Sequence, residues 1–381
     1  MKILLVSISN HHFFQWANQL EQAGHDIYWF DILDGGPKSD KLPWLTQIKG
    51  WKMRWDFPLR QAIKLKFPTL YQKIQKINER KTTVVFEELI QAFQPDVVHC
   101  FEMQLSGLPI LPVMYKYPTV KLLYSTWGSD MFYFKAHGIS TNQVENFLNR
   151  VDYLITDCSR DYQIAAATGY KNTFLGVYPG NGGIAYPVEY SKPIDKRPLI
   201  LIKGYESFGC KASTIIAALQ SLPVTLFDTF EIVIYSADIE IIEQIKAAAF
   251  FSMVKHRIIP RTTFLDNKEV LQMMGAASLH ISNNISDGMP NTLLESMGMG
   301  AFPIQSNPGN ASAEVITHGI NGFLITDPLD DKEIANWIKK AIENIDLRAN
   351  AQEINTKQCQ KNYSREFLRP KVCALYKAIL T

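Results

Sequence analysis

Ser286-Asp-Gly-Met-Pro-Asn-Thr-Leu-Leu-Glu295 sets one carboxylate before a Gly/Pro/Asn turn and a second eight residues later, inside an amphipathic run. A turn of this composition entering a helix leaves backbone N–H groups at the positive end of the helix dipole, a natural seat for an anion such as phosphate. Carboxylates beside that seat suit a vicinal diol, since each accepts two hydrogen bonds. A second reading stands next to this one. If Thr292 caps the helix, Glu295 falls at the third helical position and Thr-x-x-Glu is a capping box. Taken alone, the stretch is evenly balanced between cap and ligand site.

Outward from it, short apolar runs alternate with helical ones, at 2–8, 13–23, 25–30, 86–93, 97–100, 120–125 and 153–156. This is the rhythm of a parallel sheet with crossover helices. Three prolines and mixed charges at 187–198 break it, as an interdomain linker does, and a second alternation runs over 199–344. The pattern predicts an α/β protein of two doubly wound, Rossmann-like domains facing each other across a cleft. The expected boundaries are 1–190, 191–360 and a C-terminal helix at 361–381 that packs back on the first domain. Such a cleft, at the carboxyl ends of the strands, is the default ligand site.

The 381 residues are 46% hydrophobic and 20% charged, which excludes a disordered chain and suits two soluble domains. No stretch approaches the ~20 apolar residues that cross a bilayer, and the opening MKILLVSISN reads as a buried strand rather than a signal peptide. Cys100, Cys158, Cys210, Cys359 and Cys373 are odd in number and never in a C-x-x-C pair. That argues against a disulfide framework and a zinc site and for a reducing cytoplasm. The net charge of +2 is uneven: residues 38–81 hold twelve Lys/Arg against Asp40, Asp56 and Glu79, so this segment is +9 and the rest −7. A nucleic-acid binder would be basic throughout, whereas a local patch points to one anionic partner. Trp51, Trp55, Leu59 and Ile63 recur every four residues among Lys49, Lys52, Arg54, Arg60, Lys64 and Lys66. We expect residues 44–81 to form a helical face for an anionic membrane surface; the same stripe could instead pack on the sheet.

The run from Ser286 to Ser306, followed by Pro-Gly-Asn-Ala-Ser-Ala-Glu314-Val and His-Gly-Ile-Asn-Gly-Phe-Leu324, closely resembles the C-terminal signature of family 4 glycosyltransferases, which have the GT-B fold. The resemblance implies a retaining transfer from a nucleoside-diphosphate sugar, with a UDP-sugar favoured, no bound metal and no other cofactor. The family's carboxylate pair maps to Asp287, for hydroxyls of the transferred sugar, and Glu295, for the donor ribose. The first is Asp here rather than Glu. Around them Gly204, Gly288, Met289 and Pro290 would also line the donor site, and Asn291, Thr292 and Leu293 would offer N–H groups to the diphosphate.

The family also places an Arg and a Lys early in the second domain against the leaving diphosphate. Here the usual Gly-Arg reads Gly204-Tyr205, so Lys203 and Lys211 are the substitutes. In the first domain Ser125-Thr-Trp-Gly-Ser-Asp130 resembles the family's acceptor-side His-Gly-Ser-Asp loop, with Trp127 for His and Gly128 retained. The implied catalytic set is Asp130, Lys211 and Asp287, with His11 and His12 as further acceptor-side candidates. Asp130 reads equally as a helix cap, and the histidines as exposed loop residues. Asp157-Cys-Ser-Arg-Asp161 and Pro179-Gly-Asn-Gly-Gly183 follow strands; their glycines could form an anion-binding backbone nest, and the plainer reading is a turn. The expected activity is glycosyl transfer to a glycan or lipid-linked acceptor in surface polysaccharide synthesis, at the inner face of a membrane. The alternatives are a nucleotide-sugar epimerase or hydrolase of the same fold, or a non-catalytic nucleotide-sugar-binding relative.

Overall fold

Continuous Val/Ile/Leu runs bury both faces, and that is the composition parallel strands require. In the computed structural model, which describes residues 1–207 and 209–379, such runs build two parallel sheets. The chain divides into one unit of Met1–Thr156, Gln163–Asn181 and Val372–Thr381, and another of Asp157–Tyr162 and Gly182–Lys371.

The first unit holds β1 (Lys2–Ser7), β2 (Asp26–Asp31), β3 (Thr46–Ile48), β4 (Val97–Phe101), β5 (Lys121–Ser125), β6 (Tyr153–Thr156) and β7 (Thr173–Val177), in the order β3-β2-β1-β4-β5-β6-β7. Ile3 pairs with Ile27 on one side and Val97 on the other, and Ile3 to Val6 are wholly buried. The edge strands β3 and β7 escaped the sequence reading because Thr-Gln-Ile and Thr-Phe-Leu-Gly-Val are only partly buried and carry little apolar signal. The last helix contributes Val372, Leu375 and Tyr376 to this unit's core, and Ile379 just after it joins them, beside Phe13, Trp16, Trp29 and Phe101. There the Trp16 indole N–H donates to the Tyr376 hydroxyl at 2.9 Å.

The second unit holds β8 (Leu199–Lys203), β9 (Glu231–Ala237), β10 (His256–Pro260), β11 (Ala277–Ser282), β12 (Phe302–Ser306) and β13 (Phe323–Ile325), in the order β10-β9-β8-β11-β12-β13. The order reverses between β8 and β11. Outside the carboxyl ends of strands at such a point is where open α/β sheets bind ligands.

The segment at 44–81 departs from expectation. Residues 51–59 are not helical, and two helices follow at Arg60–Lys66 and Pro68–Asn78. Trp51 is buried, its ring tilted against Phe30 at 4.9 Å between centres and its indole N–H donated to the Asp31 carbonyl at 2.8 Å, so it shares no face with Leu59 and Ile63. Pro58 lacks an N–H, and Leu59 adopts φ 60°, so no helix passes through. The apolar side chains left in solvent are Trp55, Leu59, Leu65, Phe67, Leu70 and Ile77.

Candidate functional site

The helix Asn291–Gly298 begins after Pro290, whose position at the N-cap carries no side-chain bond. Glu295 is therefore the fifth helical residue rather than the third, and the capping box does not form. Leu293, Leu294 and Met297 anchor the helix in the core while Glu295 lies buried beside them. Its Oε1 accepts a hydrogen bond from Asn267 Nδ2 at 3.0 Å. Burial pushes the Glu295 carboxyl up to about 7, against the pull of Asn267 and the Lys203 charge. Asp287 is raised as well, first by burial, with Lys203 opposing. Its Oδ2 accepts from Asn284 Nδ2 at 2.7 Å and its Oδ1 from the Gly288 N–H at 3.0 Å. Leu293 does not offer its N–H outward: it donates to the Pro290 carbonyl at 3.0 Å. Thr292 Oγ1 is buried without a hydrogen-bond partner among the described residues.

Lys203 ends β8, the strand beside β11, so topology delivers a cation to the two acids. The loops that follow these strands are laced together: the Lys211 N–H donates to the Asn283 carbonyl and the Ile285 N–H to the Gly209 carbonyl, both at 2.8 Å. Gly204 sits so close to β9 that a Cβ there would lie 2.7 Å from Ala237 Cα. Lys211 precedes the helix Ala212–Gln220, and its Nζ lies 3.3 Å from Glu206 Oε1. Among the described residues Lys203 has no such ion pair; its Nζ lies 4.9 Å from the centre of the Tyr205 ring. A second cation, Arg261 after β10, stands 4.4 Å from the same ring. Sequence reasoning missed Arg261, because only the sheet order brings it near residue 205.

Beneath the turn lies Asp157–Tyr162. Arg160 Nη1 donates to the Asp287 carbonyl at 2.7 Å and the Pro308 carbonyl at 2.8 Å, while Asp161 Oδ1 accepts from Arg160 Nε and Nη2 at 2.9 and 2.7 Å. Glu314 accepts from the Ser159 N–H at 2.8 Å, and Asp157 Oδ2 from the Met289 N–H at 3.2 Å. A Cβ at 288 would lie 2.0 Å from Asp157 Oδ2, so any larger residue there must displace that carboxylate. Asp157, Cys158 and Asp161 bring ligand-type atoms within 4.8 Å of one another. The arginine on Asp161 already supplies positive charge there, and burial pushes the Cys158 thiol up so that it keeps its proton.

In the first unit, Asp130 Oδ2 accepts from the Tyr124 hydroxyl at 2.6 Å and the Met103 N–H at 2.9 Å, and Oδ1 from the Trp127 N–H at 2.9 Å. Asp130 thus ties together the loops after β4 and β5, with Gly128 at φ 86° making the turn. His11 and His12 open the helix His11–Asn18, and the His12 ring lies 6.3 Å from Trp127, edge on. Glu102, which sequence reasoning passed over, follows β4 at φ 72° and accepts from the Gln104 and Leu105 N–H groups, each at 2.6 Å. Burial, then the Asp130 charge, push its carboxyl up to about 8.

Residues 213–358 match the family described as Glycosyl transferases group 1, and residues 2–158 match Glycosyl transferase 4-like. Among solved structures the chain is similar to HepE of Anabaena, crystallised with UDP and glucose, at 14% identity and TM-score 0.70 over 99% of this chain and 100% of that one. It is also similar to a sucrose-phosphate synthase from Thermosynechococcus elongatus, at 13% identity and TM-score 0.71 over 100% and 99%. A glycosyltransferase from Rickettsia africae gives 16% identity and TM-score 0.67 over 100% and 98%. At these identities the likeness establishes the fold, which is GT-B. No curated protein sequence matches the chain.

Proposed function

We propose that this protein, which has the GT-B fold and matches the group 1 glycosyltransferase family over residues 213–358, is a glycosyltransferase that moves a glycosyl group with retention of configuration from a nucleoside-diphosphate sugar to a glycan or lipid-linked acceptor in surface polysaccharide synthesis. The observation that carries the reading is the convergence of the buried Glu295 and the half-buried Asp287 with Lys203, which forms no ion pair among the described residues, at the point where strand order reverses. In this reading Glu295 accepts from the ribose hydroxyls and Asp287 from hydroxyls of the transferred sugar. The Thr292 N–H at the helix start meets the diphosphate. Lys203 stabilises the charge that builds on the leaving group, a service greater in the transition state than in the ground state, and no metal is required for it. A UDP-sugar is the favoured donor, in line with the UDP held by HepE.

The reading extends to an anionic membrane surface that presents the acceptor at the cytoplasmic face and is met by residues 44–81. No helix among the described residues is long and apolar enough to cross a membrane. The test is a thermal-shift panel of UDP-, GDP-, ADP- and TDP-sugars, where a ligand at 100 times its dissociation constant stabilises by about 2.7 kcal/mol. NMR of the product with the stabilising donor then reads the anomer. Inversion overturns the retaining mechanism; free sugar or an epimer released without acceptor identifies a hydrolase or epimerase; binding without turnover identifies a non-catalytic relative.

A further inference from the structure

We propose that Arg261 acts with Lys203 as a pair of cations on the donor diphosphate, the guanidinium arriving from the end of β10 rather than from position 205. The inference rests on the donor-site reading above. Strands β10, β9 and β8 are parallel neighbours, so their carboxyl ends share one edge of the sheet. That edge is where the Arg261 N–H donates to the Ala237 carbonyl at 2.9 Å, fixing the start of the side chain. The guanidinium is then aimed within this edge: Arg261 Nη1 donates to Ser207 Oγ at 2.6 Å and Asp238 Oδ1 at 3.0 Å, and its carbon stands 4.4 Å from the Tyr205 ring centre.

Asp238 does not cancel this cation alone. Its Oδ2 also accepts from the Glu206 N–H at 3.0 Å, the Ser207 N–H at 3.1 Å and the Ser207 hydroxyl at 2.8 Å, so its charge is spread over the loop that follows β8. Burial works against that carboxylate, yet these donors and Arg261 together hold it down at about 2. Asp238 is thus a fixed anchor at any working pH. Lys203 approaches the same ring, 4.9 Å from its centre. Tyr205 thereby serves as a platform for both positive groups, since a ring face attracts each. Breaking the glycosyl–oxygen bond leaves the electron pair and its negative charge on the diphosphate oxygen. Cations already oriented there stabilise that charge without reorganisation. A planar guanidinium adds forked N–H donors matched to phosphate oxygens, which the Lys203 ammonium lacks.

The experiment is calorimetric titration of the full chain with UDP, GDP, ADP and TDP, each against its own nucleoside, for wild type, Arg261→Gln and Arg261→Lys. Arg261→Gln should weaken the preferred nucleoside diphosphate at least tenfold while the nucleoside stays within twofold, and Arg261→Lys should recover part of the loss. In turnover assays Arg261→Gln should lower kcat more than it raises the donor KM. Equal losses for nucleoside and diphosphate would mean that Arg261 merely props the Ser207 turn, and no loss at all would also overturn the assignment. Wild type that binds no nucleoside diphosphate would overturn the donor-site reading and this pairing with it.

Discussion

Glu295 shows what a single side chain carries. Its carboxyl is raised by burial to about 7 from an ordinary 4.5. The folded state therefore holds a proton that the unfolded state has already released between those two values. Stability falls as pH rises through that window, by about 3 kcal/mol in total. Replacing Glu295 with Gln removes the titration. Urea unfolding should show Glu295→Gln more stable than wild type at pH 8, with the gap closing towards pH 4.5; equal pH slopes would refute the buried ionisation. The same variant should lose roughly 1.5–3 kcal/mol of donor affinity, the worth of hydrogen bonds to a charged group. Wild-type donor affinity should rise with pH through about 7, because the ribose hydroxyls need the ionised acceptor.

Loops after parallel strands decide the site at the next scale, and they separate two lysines that the sequence leaves equivalent. Lys211 is engaged by Glu206, whose carboxylate also accepts from the Ser213 N–H at 2.9 Å and hydroxyl at 3.0 Å, whereas the Lys203 charge acts on both Asp287 and Glu295. Lys203→Ala should lower kcat more than donor affinity, and Lys211→Ala should change both little; the reverse ranking in steady-state kinetics would reassign the cation. Gly288 tests the turn itself. A methyl group there meets Asp157, so Gly288→Ala should cost about 1–3 kcal/mol in thermal unfolding, as overpacking does. Combining it with Asp157→Ala should return part of that loss; no recovery would show that the clash lies elsewhere.

At the scale of the whole molecule, the exceptional surface is the pair of helices at Arg60–Lys66 and Pro68–Asn78. Residues 57–78 carry five Lys/Arg and no Asp or Glu, and no residue of the first helix is buried. Leu65 is 80% exposed and Ile77 72%, so the helices owe nothing to packing of these side chains. Apolar groups set among lysines suit the headgroup region of an anionic bilayer, where each basic residue adds roughly 1 kcal/mol. Co-sedimentation with vesicles should rise with anionic lipid content and fall with salt. A Leu65→Ser, Phe67→Ser double variant should bind several-fold less. Binding indifferent to lipid charge and salt, or none by wild type, would point to a soluble acceptor.

Sequence by itself determined the architecture, because strands buried on both faces must be written as unbroken apolar runs and crossover helices as periodic ones. It also marked the turn from Ser286 to Glu295, whose Gly, Pro and Asn carry their backbone geometry locally. Asn267, Arg261 and Arg160 were not legible. Each acts on a residue at least 28 positions away, at Glu295, Tyr205 and Asp287, and no local period encodes such a meeting. The four-residue spacing of Trp51 misled for the same reason: it signals a helix only where the backbone can be one, and that indole found the Asp31 carbonyl instead. Which lysine pairs with Glu206, and which carboxyl is pushed towards neutrality, were decided by tertiary structure, since charge and desolvation act through distance in space and not along the chain.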